Sequence, residues 1–173
     1  MTEPTEHDRL AATMAGGGMK YLYWVLPIAT ALAYGVWRSY AAQVYVGDLP
    51  PFDLHLYSLE QAQTYLADLP PAAKATYLGR LHTADSALMI CLAATLIAAV
   101  WRRGWVWAVP AVCFIGFDVI ENRAVASLLE FGIKGAGGET ARLMVVTGLK
   151  FVCLGLAVAL ALWSLWRKQD VHG

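Results

Sequence analysis

Charge is what this sequence has least of. Of 173 residues only 15% are Asp, Glu, Lys or Arg, against about 25% in an average soluble domain. The 13 basic and 13 acidic side chains cancel, and no basic run is present, which argues against nucleic acid as a partner. Cysteine is sparser still: Cys91, Cys113 and Cys153 stand singly in apolar runs without a C-x-x-C. That pattern opposes both a thiol–disulfide enzyme and a zinc–thiolate centre, and it leaves the three as small packing residues. There is no G-x-S-x-G, no phosphate loop, no pair of histidines on facing apolar segments to hold haem, and no internal repeat. Serine-nucleophile, nucleotide and haem chemistry therefore have no support, and no cofactor is expected.

Hydrophobic residues, by contrast, make up 58% of the chain, and they come in runs long enough to cross a bilayer at a rise of about 1.5 Å per residue. Four such runs lie at about 20–40, 72–101, 105–131 and 140–166. The sequence predicts an all-α, integral membrane, antiparallel four-helix bundle, one domain over 20–168. Residues 1–19, small, polar and ending GGGMK, read as a disordered cytoplasmic tail, and 169–173 as a short C-terminal tail. A cleaved signal peptide is the competing reading of the first run, because Ala31-Leu32-Ala33 has the form of a cleavage site. The apolar character continues past Ala33 to Trp37, which favours a retained span.

Between the first and second spans, Pro50-Pro51 and Pro70-Pro71 bracket a short helix over about 58–69. Ser58 with Gln61 three residues on is a capping box. Leu59, Ala62, Tyr65, Leu66 and Leu69 then recur at helical spacing, predicting an amphipathic helix on the membrane surface, as a lid or a plain connector. Lys20, Arg102-Arg103 and Arg167-Lys168 fall on one side of the bundle, as do Trp101, Trp105, Trp107, Trp163 and Trp166. The positive-inside rule and the aromatic belt place that side in the cytoplasm. The protein is then expected in the cell (inner) membrane, multi-pass, with both termini cytoplasmic, although Lys74, Arg80, Lys134 and Arg142 reduce the contrast.

The few charges inside the spans are the informative residues, since ionisable groups in a bilayer are expensive. The third span carries Asp118, Glu121, Asn122 and Arg123 within GFDVIENR. Asp118, Glu121 and Asn122 stand at i, i+3 and i+4 and share a helix face. Counted from the inner boundary, Asp85 lies at about 24 Å, Asp118 at about 21 Å, Glu121 at about 26 Å, Lys150 at about 24 Å and Arg38 at about 27 Å. His82 stands one turn from Asp85, and Thr147 one turn from Lys150. Four helices therefore contribute to one layer in the outer half of the membrane, and Arg38, Arg123 and Lys150 formally balance Asp85, Asp118 and Glu121. The third span has about a dozen large apolar residues, worth about 5 kcal/mol, against about 9 kcal/mol for three central charges. Partners on neighbouring helices or a water-filled cavity must supply the difference.

Four pieces of the chain resemble a family of small bacterial four-span membrane proteins. They are the tyrosine-led helix LYSLEQAQTYLADL, an R-x-x-x-x-D entry to the second span from Arg80 to Asp85, the D-x-x-E-N of Asp118, Glu121 and Asn122, and the T-x-x-K of Thr147 and Lys150. Members of the family often carry a proline soon after the second-span aspartate; this chain does not. The resemblance implies the four-span fold and these site residues, and it implies no reaction.

Two readings of the layer stand side by side. In one it is an acid–base site for a lipid or isoprenoid substrate that enters from the membrane, able to move a double bond, open or cyclise an epoxide, or cleave a lipid. Asp118 and Glu121 are then the catalytic pair and Asp85 with His82 a second proton handler. Lys150 and Arg38 act as electrostatic clamps, Asn122 as the orienting donor, and Arg123 and Thr147 in support. In the other it is a structural polar network that fixes helix register. Divalent metal binding by His82, Asp85, Asp118 and Glu121 is opposed by the nearby cations. Proton-coupled transport is opposed by the absence of a repeat. Beyond membrane lipids and a lipid-soluble small molecule, no partner is expected.

Overall fold

Every regular element among the described residues is helical. The computed structural model describes residues 6–54, 56–135 and 139–169, apart from the side chains of 6–20, 53, 133–141, 168 and 169. Helix α1 spans Glu6–Ala41, α2 Leu59–Asp68, α3 Pro71–Thr76, α4 His82–Val100, α5 Val109–Gly135 and α6 Glu139–Gln169. Residues 6–19, expected as a disordered tail, are the first turns of α1. Leu10, Ala11, Ala12, Met14 and Ala15 are good helix formers, and extending an existing helix is far easier than nucleating one. Residues 1–5 and 170–173 lie outside the described residues.

Among the described residues two helical stretches are long and apolar enough to cross a membrane: Pro71–Arg103, with mean hydropathy 1.9, and Arg142–Arg167, with 2.3. The other two expected spans, α1 and α5, fall short of that measure. In α1 four tyrosines, two tryptophans, Pro27 and Arg38 dilute the apolar run, and in α5 Asp118, Glu121 and Arg123 do so. The first stretch contains α3 and α4 joined through a π-helical turn at Tyr77–Leu81; Pro71 at the start of α3 has no N–H to lose and a φ suited to a first helical turn. At the end of α5, Gly132 adopts φ 67°, ψ 175° and breaks the helical path, so the straight part of α5 ends at Phe131, where the third span was expected to stop.

Helix α4 is the hub. It packs against α1, α5 and α6, while α5 packs chiefly on α6 and α1 chiefly on α4. At one end the contacts are made by small residues: Ala108, Ala111, Ala157 and Ala161 are buried with Leu96 and Val100, which lets backbones approach closely. Ser164 Oγ donates to the Ala99 carbonyl at 3.0 Å across this end. Trp107 stacks on Trp163 with centroids 5.2 Å apart, and the guanidinium groups of Arg103 and Arg167 lie over Trp163 at 4.9 and 5.1 Å.

The opposite end is closed by an aromatic cap. Phe52, Tyr57 and Tyr65 meet with centroids 4.7, 4.8 and 5.8 Å apart. Each tyrosine is also a backbone tie: Tyr65 donates to the Val44 carbonyl at 2.6 Å, Tyr57 to the Pro50 carbonyl, and Tyr77 accepts from Phe52 N–H at 2.9 Å. The expected capping box of α2 is present, with Ser58 Oγ accepting from Gln61 N–H at 3.2 Å and Gln61 Oε1 accepting from Ser58 N–H at 2.9 Å. Its apolar face departs from expectation at one residue. Ala62 and Tyr65 are fully buried against the bundle, but Leu59 is 53% exposed. The three cysteines are free, and none is fully buried.

Candidate functional site

Each helix that enters the site presents a stripe set by the helical repeat. On α5 Asp118, Glu121, Asn122 and Val125 are buried, and Glu121 is wholly inaccessible. On α4 the buried face is Ala84, Asp85 and Leu88, continuing from Leu81 of the π turn. On α6 it is Leu143, Thr147 and Lys150, running on to Ala157 and Ala161. These positions recur at three, four and seven residues, so one stripe of each helix faces the same interior.

The polar groups on those stripes form one continuous hydrogen-bonded chain. The Asn122 amide Nδ2 donates to Asp85 Oδ2 at 3.0 Å and to Asp118 Oδ2 at 3.2 Å. The Lys150 ammonium donates to Asp118 Oδ1 at 3.3 Å and pairs with Glu121 Oε2. Thr147 Oγ1 donates to the other Glu121 oxygen. Asp85, Asn122, Asp118, Lys150, Glu121 and Thr147 are thereby linked in that order across α4, α5 and α6. Because buried polar groups without partners cost about 1–3 kcal/mol each, such a chain holds three helices in one register.

Three of the expected members lie elsewhere. Arg38 and Arg123 are exposed and His82 is half-buried, and none of their side chains joins the chain of hydrogen bonds among the described residues. Arg38 follows Trp37, which with Ala41 forms the buried stripe of α1, and a step of one residue turns a helical side chain by about 100°. Arg123 follows Asn122 in the same way. The expected balance of three cations and three anions is therefore corrected to one ammonium, Lys150, among three carboxyls, Asp85, Asp118 and Glu121.

Beside this chain lies a cavity of about 160 Å³ lined by Tyr34, Trp37 and Leu54, by Asp85, Leu88 and Met89, and by Phe114, Lys150, Phe151 and Leu154. It exists because α1 leans on α4, leaving space between α1 and α6. Its wall is aromatic and aliphatic except where Asp85 and Lys150 reach it; Asp118 and Glu121 are not among the lining residues. Trp37 stacks on Tyr34 with centroids 5.7 Å apart, and its buried indole N–H has no hydrogen-bond partner among the described residues. Trp37, Tyr34 and Phe114 escape a search for chemistry-bearing residues, since aromatic side chains in an apolar run read as packing. The signal that could have found Trp37 is its position one turn before Ala41 on the inward stripe of α1.

Among the described residues no group of three or more His, Cys, Asp and Glu side chains is arranged to hold a metal ion. Lys150 occupies the centre of the carboxyl group, where a cation would sit. No family model, curated protein or solved structure matches the chain, so the case for any function rests on this geometry.

Proposed function

We propose that the protein spans the cell membrane four times, through α1, the α3–α4 stretch, α5 and α6, with both termini cytoplasmic and the aromatic cap outside. We further propose that the charged chain is an acid–base site acting on a lipid-soluble small molecule. Kinship with the small four-span family belongs to the same reading. The membrane setting is supported by what the two most apolar stretches leave uncovered: only 33% and 22% of their apolar windows are buried, whereas a soluble core helix would be mostly covered. Such extensive apolar surface is expected against lipid. The tryptophans and arginines at the small-residue end fit an inner interface.

The observation that carries the chemistry is the cavity, because it brings an apolar wall to one carboxyl and one ammonium. Asp85 is the group placed to exchange a proton with a bound molecule. Asn122 ties it to Asp118, so a charge that changes at Asp85 is felt along the whole chain. With three carboxyls around a single ammonium, the site offers groups that can serve as acid or as base. The Lys150 ammonium, held by Asp118 and Glu121, is fixed in position before any ligand arrives and stabilises negative charge developing on a ligand oxygen. Glu121 and Thr147 act as positioning residues. Relative to the expected catalytic pair of Asp118 and Glu121, the reactive role moves to Asp85 and Lys150, which reach the cavity.

Comparative mass spectrometry of lipid extracts from cells overproducing the wild-type chain or Asp85→Asn tests this. The wild type should change the level of at least one neutral lipid or isoprenoid, and Asp85→Asn should abolish the change while thermal unfolding stays within a few degrees. Identical extracts from two folded proteins would sink the acid–base reading. A structural network is favoured by one observation, the full enclosure of Glu121, whose two oxygens meet Thr147 and Lys150. Under it, Asp85→Asn changes stability alone.

A further inference from the structure

The largest cavity found among the described residues is not the one beside Asp85. It is a groove of about 630 Å³ between α5 and α6, lined by Ile120, Arg123, Ala124, Ser127, Arg142, Val145 and Val146. Its size falls in the range of about 300–1,000 Å³ usual for small-molecule sites. Its chemistry is divided, with four aliphatic side chains forming the walls and two guanidinium groups and a hydroxyl as the polar parts. It opens on the side of α5 away from the buried stripe, since Ile120 and Arg123 are exposed where Glu121 and Asn122 are enclosed.

Arg123 makes no ion pair among the described residues. A guanidinium carried on a membrane helix needs an anion or water. Counted from Gly104, Arg123 stands at about 28 Å, near the outer edge of a hydrocarbon layer about 30 Å thick. Arg142 lies at about 36 Å from Trp166, at headgroup level. Arg142 is thus at headgroup level and Arg123 within side-chain reach of it from just below, and the aliphatic wall of Ile120, Ala124, Val145 and Val146 runs alongside them.

We propose that this groove binds an anionic phospholipid of the outer leaflet, its phosphate against Arg123 and Arg142 with Ser127 as a further donor, and an acyl chain along the aliphatic wall. Charge complementarity selects the occupant: guanidinium forks match phosphate oxygens in pairs, and two positive groups favour a headgroup that carries net negative charge over a zwitterionic one. The site uses none of the acid–base groups, and it rests on the membrane-spanning part of the proposed function only.

The test is native mass spectrometry of the full-length protein taken from bilayers of equal phosphatidylglycerol and phosphatidylcholine. The wild type should retain phosphatidylglycerol preferentially. Arg123→Gln or Arg142→Gln should each lower that preference about fivefold and the double substitution should remove it. Arg102→Gln, at the opposite end, should leave it unchanged. Arg123→Lys keeps the charge and should retain most of the preference, which separates loss of binding from loss of folding. Equal retention of the two lipids by wild type, or undiminished preference in the double variant, overturns the proposal. A carbonate wash of the same membranes distinguishes the two failures: a chain that is washed off refutes the spanning helices, and with them this site, whereas one that stays but shows no preference refutes the groove alone.

Discussion

Lys150 and Asn122 hold the site in opposite ways, one by charge and one by direction. Lys150 is the ammonium that Asp118 and Glu121 share, so replacing it with methionine takes the cation away from two buried carboxyls. Lys150→Met should cost about 3–5 kcal/mol, the usual result of breaking a buried pair from one side. Adding Glu121→Gln to that variant should recover part of the loss, and denaturant titration of the two in detergent measures both. Asn122 joins Asp85 to Asp118 with a single amide; Asn122→Leu should cost about 2–4 kcal/mol through two carboxyls that each lose a donor. A loss under 1 kcal/mol on the same titration would mean that water replaces the amide. Sequence spacing made these residues legible because i, i+3 and i+4 positions on one helix must face one way. It misplaced Arg38 and Arg123 because rise per residue gives height along a helix and says nothing of the direction a side chain faces. Trp37 and Asn122, their immediate neighbours, show that direction, and only packing decides which of two adjacent residues turns inward.

Among the elements, α2 was the most fully legible, since its start is written in local chemistry that does not depend on the rest of the fold. Ser58 and Gln61 satisfy each other's backbone N–H groups, and Ser58→Ala should cost about 1 kcal/mol, read as a fall in the thermal midpoint. The π turn at Tyr77–Leu81 was not legible, since no residue type demands it. It begins at Tyr77, whose hydroxyl accepts from Phe52 N–H, and ends one helical turn before Asp85. Tyr65→Phe isolates the cap itself. The ring contacts with Phe52 and Tyr57 remain, the bond to the Val44 carbonyl goes, and the expected loss is about 1–2 kcal/mol, with faster amide exchange at the turn after α1 as its local signature.

At the scale of the whole molecule, composition announced an all-helical chain and apolarity located its two strongest stretches, Pro71–Arg103 and Arg142–Arg167. In α5, less apolar by composition, the carboxyls of Asp118 and Glu121 are met by Asn122, Thr147 and Lys150. The proposed topology makes a direct prediction. A single cysteine introduced at Ser58, in a chain with Cys91, Cys113 and Cys153 replaced by serine, should react with a membrane-impermeant maleimide in whole cells. One introduced at Arg102 should react only after permeabilisation. Labelling of both in intact cells would overturn the four-span arrangement.

Helix α5 depends on Lys150, and that dependence has a consequence for how the chain is made. During synthesis α5 leaves the ribosome before the lysine exists, carrying Asp118 and Glu121 with no ammonium to meet them. Asp85 and Asn122 are already available, but they add a carboxyl and an amide, not a cation. Under the proposed four-span arrangement, the third helix is then expected to wait in a translocon or with a chaperone until α6 follows, and the pair to enter the bilayer together as a hairpin. A chain stopped before α6 should be a preferred substrate of membrane proteases, with its half-life restored by supplying α6 as a separate polypeptide.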